Sequence, residues 1–485
     1  MDKLNVCLIN DSFPPAIDGV ANAVVNYGSI INRKLGQATV VTPFYPDADD
    51  SAFPFPVVRY PSLDMTKFVG YRAGMPFSPE LMETLTQGKF DIIHSHCPIT
   101  STMVARSLRE TIRVPVVFTY HTKFDIDIAN AISSRRLQSE AARLLVENIA
   151  ACDEVWTVSN GAGENLRKLG FAGEYRVMPN GVDFPRGRVD EAQIAAVTAG
   201  YDFPAGVPVF LFVGRMMWYK GIRIILDALK LLDEAGEDFR MVFIGGGGDR
   251  QEIIACSEEL GLQKKVFFSE PIRDREKIRA WYCRADLFLF PSTFDTNGLV
   301  VREAAACALG SVLVAGSCAA EDIADGRSGF LIEENAASMA AKLRELIAHP
   351  AAMAEVGRHA QEDIYISWEE AVRRAYERYG VVIDNFRAGR YPAHESLSDE
   401  FFRGMASTLE QIGRRRALNR RTLEAGRAAY AQFVNEMNEG YERLVSDMNE
   451  EHERLISDLN EEHERLRSEV NRTLEDFYSL LDRFL

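Results

Sequence analysis

The chain has 485 residues, 47% of them hydrophobic and 26% charged. That is too long for one ordinary domain of about 100–200 residues and too apolar for a largely disordered protein. Lys and Arg number 55 against 71 Asp and Glu, and the net charge of −16 excludes a uniformly basic surface, so no nucleic-acid partner is expected.

The N-terminus runs straight into an apolar strand pattern, without a charged leader, apolar stretch and cleavage site, so no signal peptide is expected. Strands are predicted at Leu4–Asn10, Ala38–Thr42, Asp91–His94, Val114–Thr119 and Glu154–Val158, with helices such as Ala21–Leu35 and Gln138–Ala151 between them. After the polar, Gly- and Pro-containing stretch Asn180–Pro208 a second series follows. Its strands are Val209–Val213, Arg240–Ile244, Val266–Phe268, Leu287–Phe290 and Ser311–Val314. Strands alternating with helices predict βαβ units and parallel sheets. The expected fold is therefore α/β, with two Rossmann-like domains at 1–184 and 205–366 facing a cleft. Ligands of such sheets bind beyond the carboxyl ends of the strands.

Seven scattered cysteines without a C-x-x-C pair fit neither a disulfide framework nor a zinc site, and reduced thiols in a cytoplasmic protein are expected. The longest apolar run, 304–320, is broken by Gly310 and Gly316 and falls short of the about 20 residues that span a bilayer. Any membrane contact is expected to be peripheral. His94 and His96 bracket a serine at a strand end, but no third ligand accompanies them and no metal site is expected.

Two blocks carry the chemistry. Val213-Gly-Arg-Met-Met-Trp-Tyr-Lys-Gly221 links a strand to a helix at Ile222–Leu232, and Gly214 permits the tight turn. Arg215 and Lys220 place two cations at the strand end, which suits a diphosphate; a structural salt bridge is the other reading. Gly245–Gly248 reads as a second turn on the phosphate side. The other block, Phe290 to Glu303 (FPSTFDTNGLVVRE), enters a helix at about Asn297–Gly298, whose free N–H groups suit a phosphate. Asp295 and Glu303 are eight positions apart, so one carboxylate can reach a sugar and the other a second hydroxyl-bearing group.

These blocks, G-R-x4-K-G and P-S-x-x-acid-T-x-G-L-x3-E-A, resemble the retaining glycosyltransferases of family 4, which have the GT-B fold. Supporting pieces are Asn10–Gly19, Asp91-Ile-Ile-His-Ser-His96, Tyr120-His-Thr122, Trp156-Thr-Val-Ser159, Met178–Asp183, Asp325–Phe330 and Ser367-Trp-Glu-Glu370. The likeness covers about residues 3–386, and its wording is nearest to enzymes that glucosylate diacylglycerol-type lipids. It implies that Arg215 and Lys220 hold the diphosphate of a nucleotide-diphospho-sugar, UDP-hexose, and that Glu303 binds the ribose. It also implies that Asp295, Thr296, Asn297, Gly298 and Leu299 lie against the hexose and phosphates, with Gly214 and Gly245 in the supporting turns. His121 would face the sugar from across the cleft, and Gly19 would belong to the loop closing on the phosphates. A helix at 367–386 would return to the first domain. The family needs neither a metal nor an enzymic nucleophile, and the acceptor implied is a lipid at a membrane surface, a polysaccharide, protein or small-molecule acceptor being the alternative.

Two departures stand out. Asp295 replaces the usual Glu, and the usual Gly-Gly-x-Pro-Glu reads Gly316-Ser-Cys-Ala-Ala-Glu321. They motivate a competing reading, a weakened sugar-nucleotide-binding scaffold; a phosphorylase of the same fold is a third.

After a linker at 387–398 the sequence turns helical to its end (399–485). Residues 438–448, 449–459 and 460–470 are three eleven-residue copies that keep one apolar face, so a helix over about 430–481 would run about 78 Å. A coiled coil that makes a homo-oligomer is expected, a helix lying on a membrane being the alternative. Residues 414–427 carry six Arg and one Glu, against fourteen acidic residues and five Arg in 436–476. That cluster suits a solvated face, a neighbouring acidic chain or anionic headgroups.

Overall fold

The computed structural model describes residues 3–419 except 17, 67–71, 133 and 393–395; beyond 419 it describes only 437, 461, 462, 464, 465, 467–469 and 472. The expected coil at about 430–481 and the side chains of the arginine cluster at 414–427 therefore lie outside the described residues, apart from those scattered positions.

The first sheet begins with β1 (Asn5–Ile9), β2 (Gln37–Pro43) and β3 (Val57–Tyr60). After an antiparallel hairpin of β4 (Ser62–Asp64) and β5 (Arg72–Gly74), it resumes with β6 (Ile92–Ser95), β7 (Val116–Tyr120), β8 (Glu154–Thr157) and β9 (Tyr175–Val177). The order is β3-β2-β1-β6-β7-β8-β9, parallel throughout, with Val6 opposite both Ala38 and Ile92. Its helices are α1 (Gly19–Ile30), α2 (Pro79–Gln87), α3 (Thr100–Ile112), α4 (Phe124–Ala131), α5 (Arg135–Ala150) and α6 (Asn160–Lys168). The apolar runs predicted as strands are buried because helices cover both faces of the sheet. The helix expected at 21–35 starts earlier, capped by Asp18, and its last stretch, Ile31–Leu35, is a π-helical turn.

The second sheet holds β10 (Val209–Val213), β11 (Arg240–Ile244), β12 (Val266–Ser269), β13 (Leu287–Phe290), β14 (Ser311–Val314) and β15 (Phe330–Ile332), all parallel in the order β12-β11-β10-β13-β14-β15. Around it lie α7 (Glu191–Thr198), α8 (Ile222–Glu234), α9 (Arg250–Glu259), α10 (Arg275–Arg284), α11 (Leu299–Ala306), α12 (Ala336–Ala348) and α13 (Pro350–Asp363). In both sheets the strand order reverses beside the first strand, at β1/β6 and at β10/β13. Such a switch point opens a crevice at the carboxyl ends of the strands.

The polar stretch Asn180–Pro208 carries structure of its own. Asp190 and Gln193 form a capping box at the start of α7, and Val182, Phe184 and Ile194 join the second sheet's core. The second core therefore reaches back past the boundary expected at 184. The chain crosses back at Ile364–Trp368, beside its first crossing: Val182 N–H donates to Ile366 O at 3.0 Å. From there α14 (Trp368–Arg387) packs Val372, Ala375, Tyr379 and Val382 into the first sheet's core. Arg378 donates to both carboxylate oxygens of Glu154, at 2.8 and 2.6 Å.

The C-terminal boundary also differs from the expected one at 398. The chain divides into compact units at 1–410 and 411–485. The last helix, α15 (Leu397–Asn419), begins inside the first unit. Phe402, Ala406 and Leu409 are buried there, and the buried Asp399 accepts from Arg106 at 2.7 Å. Among the described residues no helix is long and apolar enough to cross a membrane.

Candidate active site

The cleft lies where the switch points of the two sheets face each other. On the second sheet, β10 ends in Gly214 and Arg215, and Lys220 closes a short 3₁₀ turn, Trp218–Lys220. The glycine run after β11 packs against this turn. Gly245 has φ 149°, and a β-carbon there would collide with Gly214 O; Met216 N–H donates to Gly246 O at 2.8 Å. Gly245 thus permits two strand ends to touch backbone to backbone.

Of the two cations, Lys220 forms the salt bridge that was the other reading. Lys220, buried at 7% exposure, donates to Asp295 Oδ1 at 2.6 Å, and Ser292 Oγ donates to Asp295 Oδ2 at 2.6 Å. Arg215 is exposed and has no ion-pair partner among the described residues; its guanidinium carbon lies 6.0 Å from the centre of the Tyr219 ring. Tyr219 and Phe294, with ring centres 4.5 Å apart, each place a ring centre 5.6 Å from Lys220 Nζ.

The loop after β13 leads into α11 through Gly298, which has φ 59° and stands as the helix N-cap, within the expected entry at Asn297–Gly298. No side chain caps this end, so its first N–H groups have no side-chain acceptor. Leu299 opens the helix, and Glu303 lies one turn further on, buried. Arg275 Nη2 donates to Glu303 Oε1 at 2.5 Å, and Tyr282 OH donates to Oε2 at 3.0 Å. Burial works against the Arg275 charge, but Glu303 outweighs it and holds the guanidinium more basic than usual. Burial, and then the Glu303 charge, keeps the Tyr282 phenol protonated.

From the first sheet, His121 follows β7 and is buried. His96 Nδ1 lies 3.0 Å from His121 Nε2, so one ring donates to the other. His96 Nε2 and His121 Nδ1 are both buried without a hydrogen-bond partner among the described residues. Whichever ring donates, the pair keeps one unmet donor and one unmet acceptor. Burial pushes His121 down to about 3 and leaves it neutral. His94 sits behind them, bonded to Tyr379 OH at 2.6 Å and Thr119 Oγ1 at 2.7 Å. Gly19 is the exposed first residue of α1, with open space around it.

The two halves touch through the 293–297 loop. Thr296 Oγ1 donates to His121 O at 2.9 Å, Asn297 Nδ2 to Val158 O at 2.8 Å, and Ser159 Oγ to Thr296 O at 2.5 Å. Thus Lys220 and Asp295 meet directly, and Thr296 and Asn297 bind the first sheet's strand ends. Glu303 is held by residues of α10 instead. Arg275, Tyr282 and Arg302 escaped the sequence reading. Arg302 bonds Asn297 Oδ1 at 3.3 Å and Ile364 O at 2.7 Å, tying the loop to the chain crossing.

Two facing doubly wound sheets, with a terminal helix returning to the first, define the GT-B glycosyltransferase fold. The family model for glycosyl transferases group 1 matches residues 197–363, and that for glycosyltransferase family 4 matches residues 17–186. The chain belongs to the family 4 glycosyltransferases. It is 28% identical over 319 residues to D-inositol 3-phosphate glycosyltransferase 2 of Catenulispora acidiphila, covering 63% of this chain and 74% of that one. Against the alpha-monoglucosyldiacylglycerol synthase of Streptococcus pneumoniae it is 22% identical over 418 residues, 84% of this chain and 93% of the relative. HepE of Anabaena, solved in complex with UDP, superposes with a TM-score of 0.62 at 18% identity, over 78% of this chain and all of that one.

Proposed function

We propose that the enzyme transfers a hexose from UDP-hexose to a lipid hydroxyl at a membrane surface, with retention of configuration and without a metal ion. One observation carries this reading: Lys220, Asp295, the uncapped start of α11 and Glu303 are gathered at the β10/β13 switch point, with His121 opposite. In this reading Arg215 and Lys220 take the diphosphate, Lys220 exchanging part of its bond to Asp295 for a phosphate oxygen. Glu303 meets the ribose hydroxyls, with Arg275 and Tyr282 fixing its orientation. Asp295 and the 296–299 backbone lie along the hexose, and neutral His121 offers a ring nitrogen to a sugar hydroxyl. As the bond from the anomeric carbon to the diphosphate breaks, the acceptor oxygen bonds that carbon on the same face. The acceptor's proton passes to the leaving phosphate oxygen, and the cations and helix N–H groups stabilise the departing charge.

The lipid acceptor is supported by the diacylglycerol-directed relative, which aligns over nearly its full length. A small polyol phosphate is the second reading, favoured by the inositol-phosphate relative. For the tail we propose self-association through about 430–481.

A donor panel with product mass spectrometry, run against extracted lipids and soluble polyol phosphates, decides between the acceptors. Glu303→Ala should lower transfer by about a hundredfold, the upper range for losing charge-assisted hydrogen bonds. Wild-type turnover by that variant would overturn the donor site.

A further inference from the structure

The 316–321 stretch departs from its family pattern, yet its last residue bridges the two domains. Glu321 follows the 3₁₀ turn Cys318–Ala320 on the second sheet's side. Its Oε2 accepts from Asn160 N–H at 2.6 Å, and its Oε1 accepts from Gly161 N–H. These are the first two N–H groups of α6, and the helix's own N-cap, Ser159, satisfies the third, Ala162, at 3.0 Å. The cap of a first-domain helix is therefore completed by a carboxylate from the second domain. Separating the domains would leave two helix N–H groups and one carboxylate to water, at the helix end where a negative charge is favoured.

We propose that Glu321 is a positioning residue, a latch that holds the domains closed and keeps the 293–297 loop against His121. Its neighbours support this. Ser159 bonds Thr296 O, and Asn297 bonds Val158 O, so the capped helix and the 293–297 loop are joined in one contact. The fit is tight at Gly161, where a β-carbon would collide with Cys318 Sγ and come within 2.7 Å of Glu321 Oε1. Alanine there is a better helix former than glycine. Gly161→Ala should therefore leave α6 intact and disturb only the meeting of the domains.

The inference rests on the cleft being the donor site, but its main readout does not. Amide hydrogen exchange of the unliganded full-length protein is followed at residues 293–297 and 156–162, beside donor kinetics. Both Glu321→Ala and Gly161→Ala are expected to speed exchange in the 293–297 loop. Both should lower donor kcat/KM by about 3- to 10-fold, the scale of one or two exposed charge-assisted bonds, with kcat at saturating donor close to wild type because bound donor recloses the cleft. Glu321→Gln, which keeps one acceptor oxygen, should fall between. Wild-type exchange at 293–297 in Glu321→Ala overturns the latch, whatever Gly161→Ala does. Absence of transfer with every donor would instead remove the reading of the site and leave the exchange result to decide the latch.

Discussion

His94, His96 and His121 stack behind the cleft, and burial dominates all three. It holds His94 and His96 well below the ordinary histidine range and His121 at about 3. An unfolded chain takes up these protons as pH falls through about 6.5, while the folded chain does not. The unfolded state then binds more protons, so stability rises with pH across this window and is complete above about 6.5. We expect the urea midpoint to fall steadily from pH 6.5 to 4 as the unfolded chain takes up these protons. His121→Gln should flatten that slope, and a midpoint constant over this range would contradict the buried neutral rings.

At the scale of elements, α15 is the informative one. Its start is fastened by Arg106, which donates to Asp399 at 2.7 Å and to Asn148 Oδ1 at 2.8 Å, with its guanidinium carbon 4.1 Å from the Phe402 ring centre. Burial alone would raise the Asp399 carboxyl, but bonds from Ser396 and Arg106 outweigh it and hold it below the usual aspartate range. A depressed carboxyl contributes stability above the unfolded value of about 3.9 and loses it as pH falls through the folded value. Docking of α15 should therefore weaken below about pH 4. Asp399→Ala strands the buried Arg106 and should cost about 3–5 kcal/mol. Phe402→Ala tests the same docking through packing alone. In both variants exchange at residues 397–410 should rise well before that of the sheets; unchanged protection there would show that the helix is held otherwise.

For the whole molecule, the boundary at Glu410 rather than 398 has a direct consequence. A chain ending at 410 keeps Asp399, Phe402 and Leu409 in place, whereas one ending at 398 exposes their partners and leaves Arg106 without its carboxylate. The longer truncation should fold with a thermal midpoint near that of the full chain. The shorter should melt several degrees lower, since about 1 kcal/mol shifts the midpoint of a large domain by about 2–4 °C. Equal midpoints would refute the anchoring role of 399–410. Light scattering on the full chain and the 410 truncation tests the proposed self-association, which only the full chain should show.

The two parallel sheets were legible in the chain's apolar pattern. Runs such as Val209–Val213 and Leu287–Phe290 are apolar at every position, and only a sheet covered on both faces buries them. The positions of Lys220, Asp295 and Glu303 were legible too, because they stand at fixed offsets from strand ends, where local chain geometry delivers them. The short edge strands β9 and β15, of three residues each, carry too little pattern to be read alone. The long-range partners emerge only in the packed domains: Arg275 and Tyr282 on Glu303, Arg106 on Asp399, and Glu321 on α6. Each joins residues on different elements, up to 293 positions apart. Periodicity and spacing specify which face a side chain occupies, but which surface meets that face depends on how the finished domains pack.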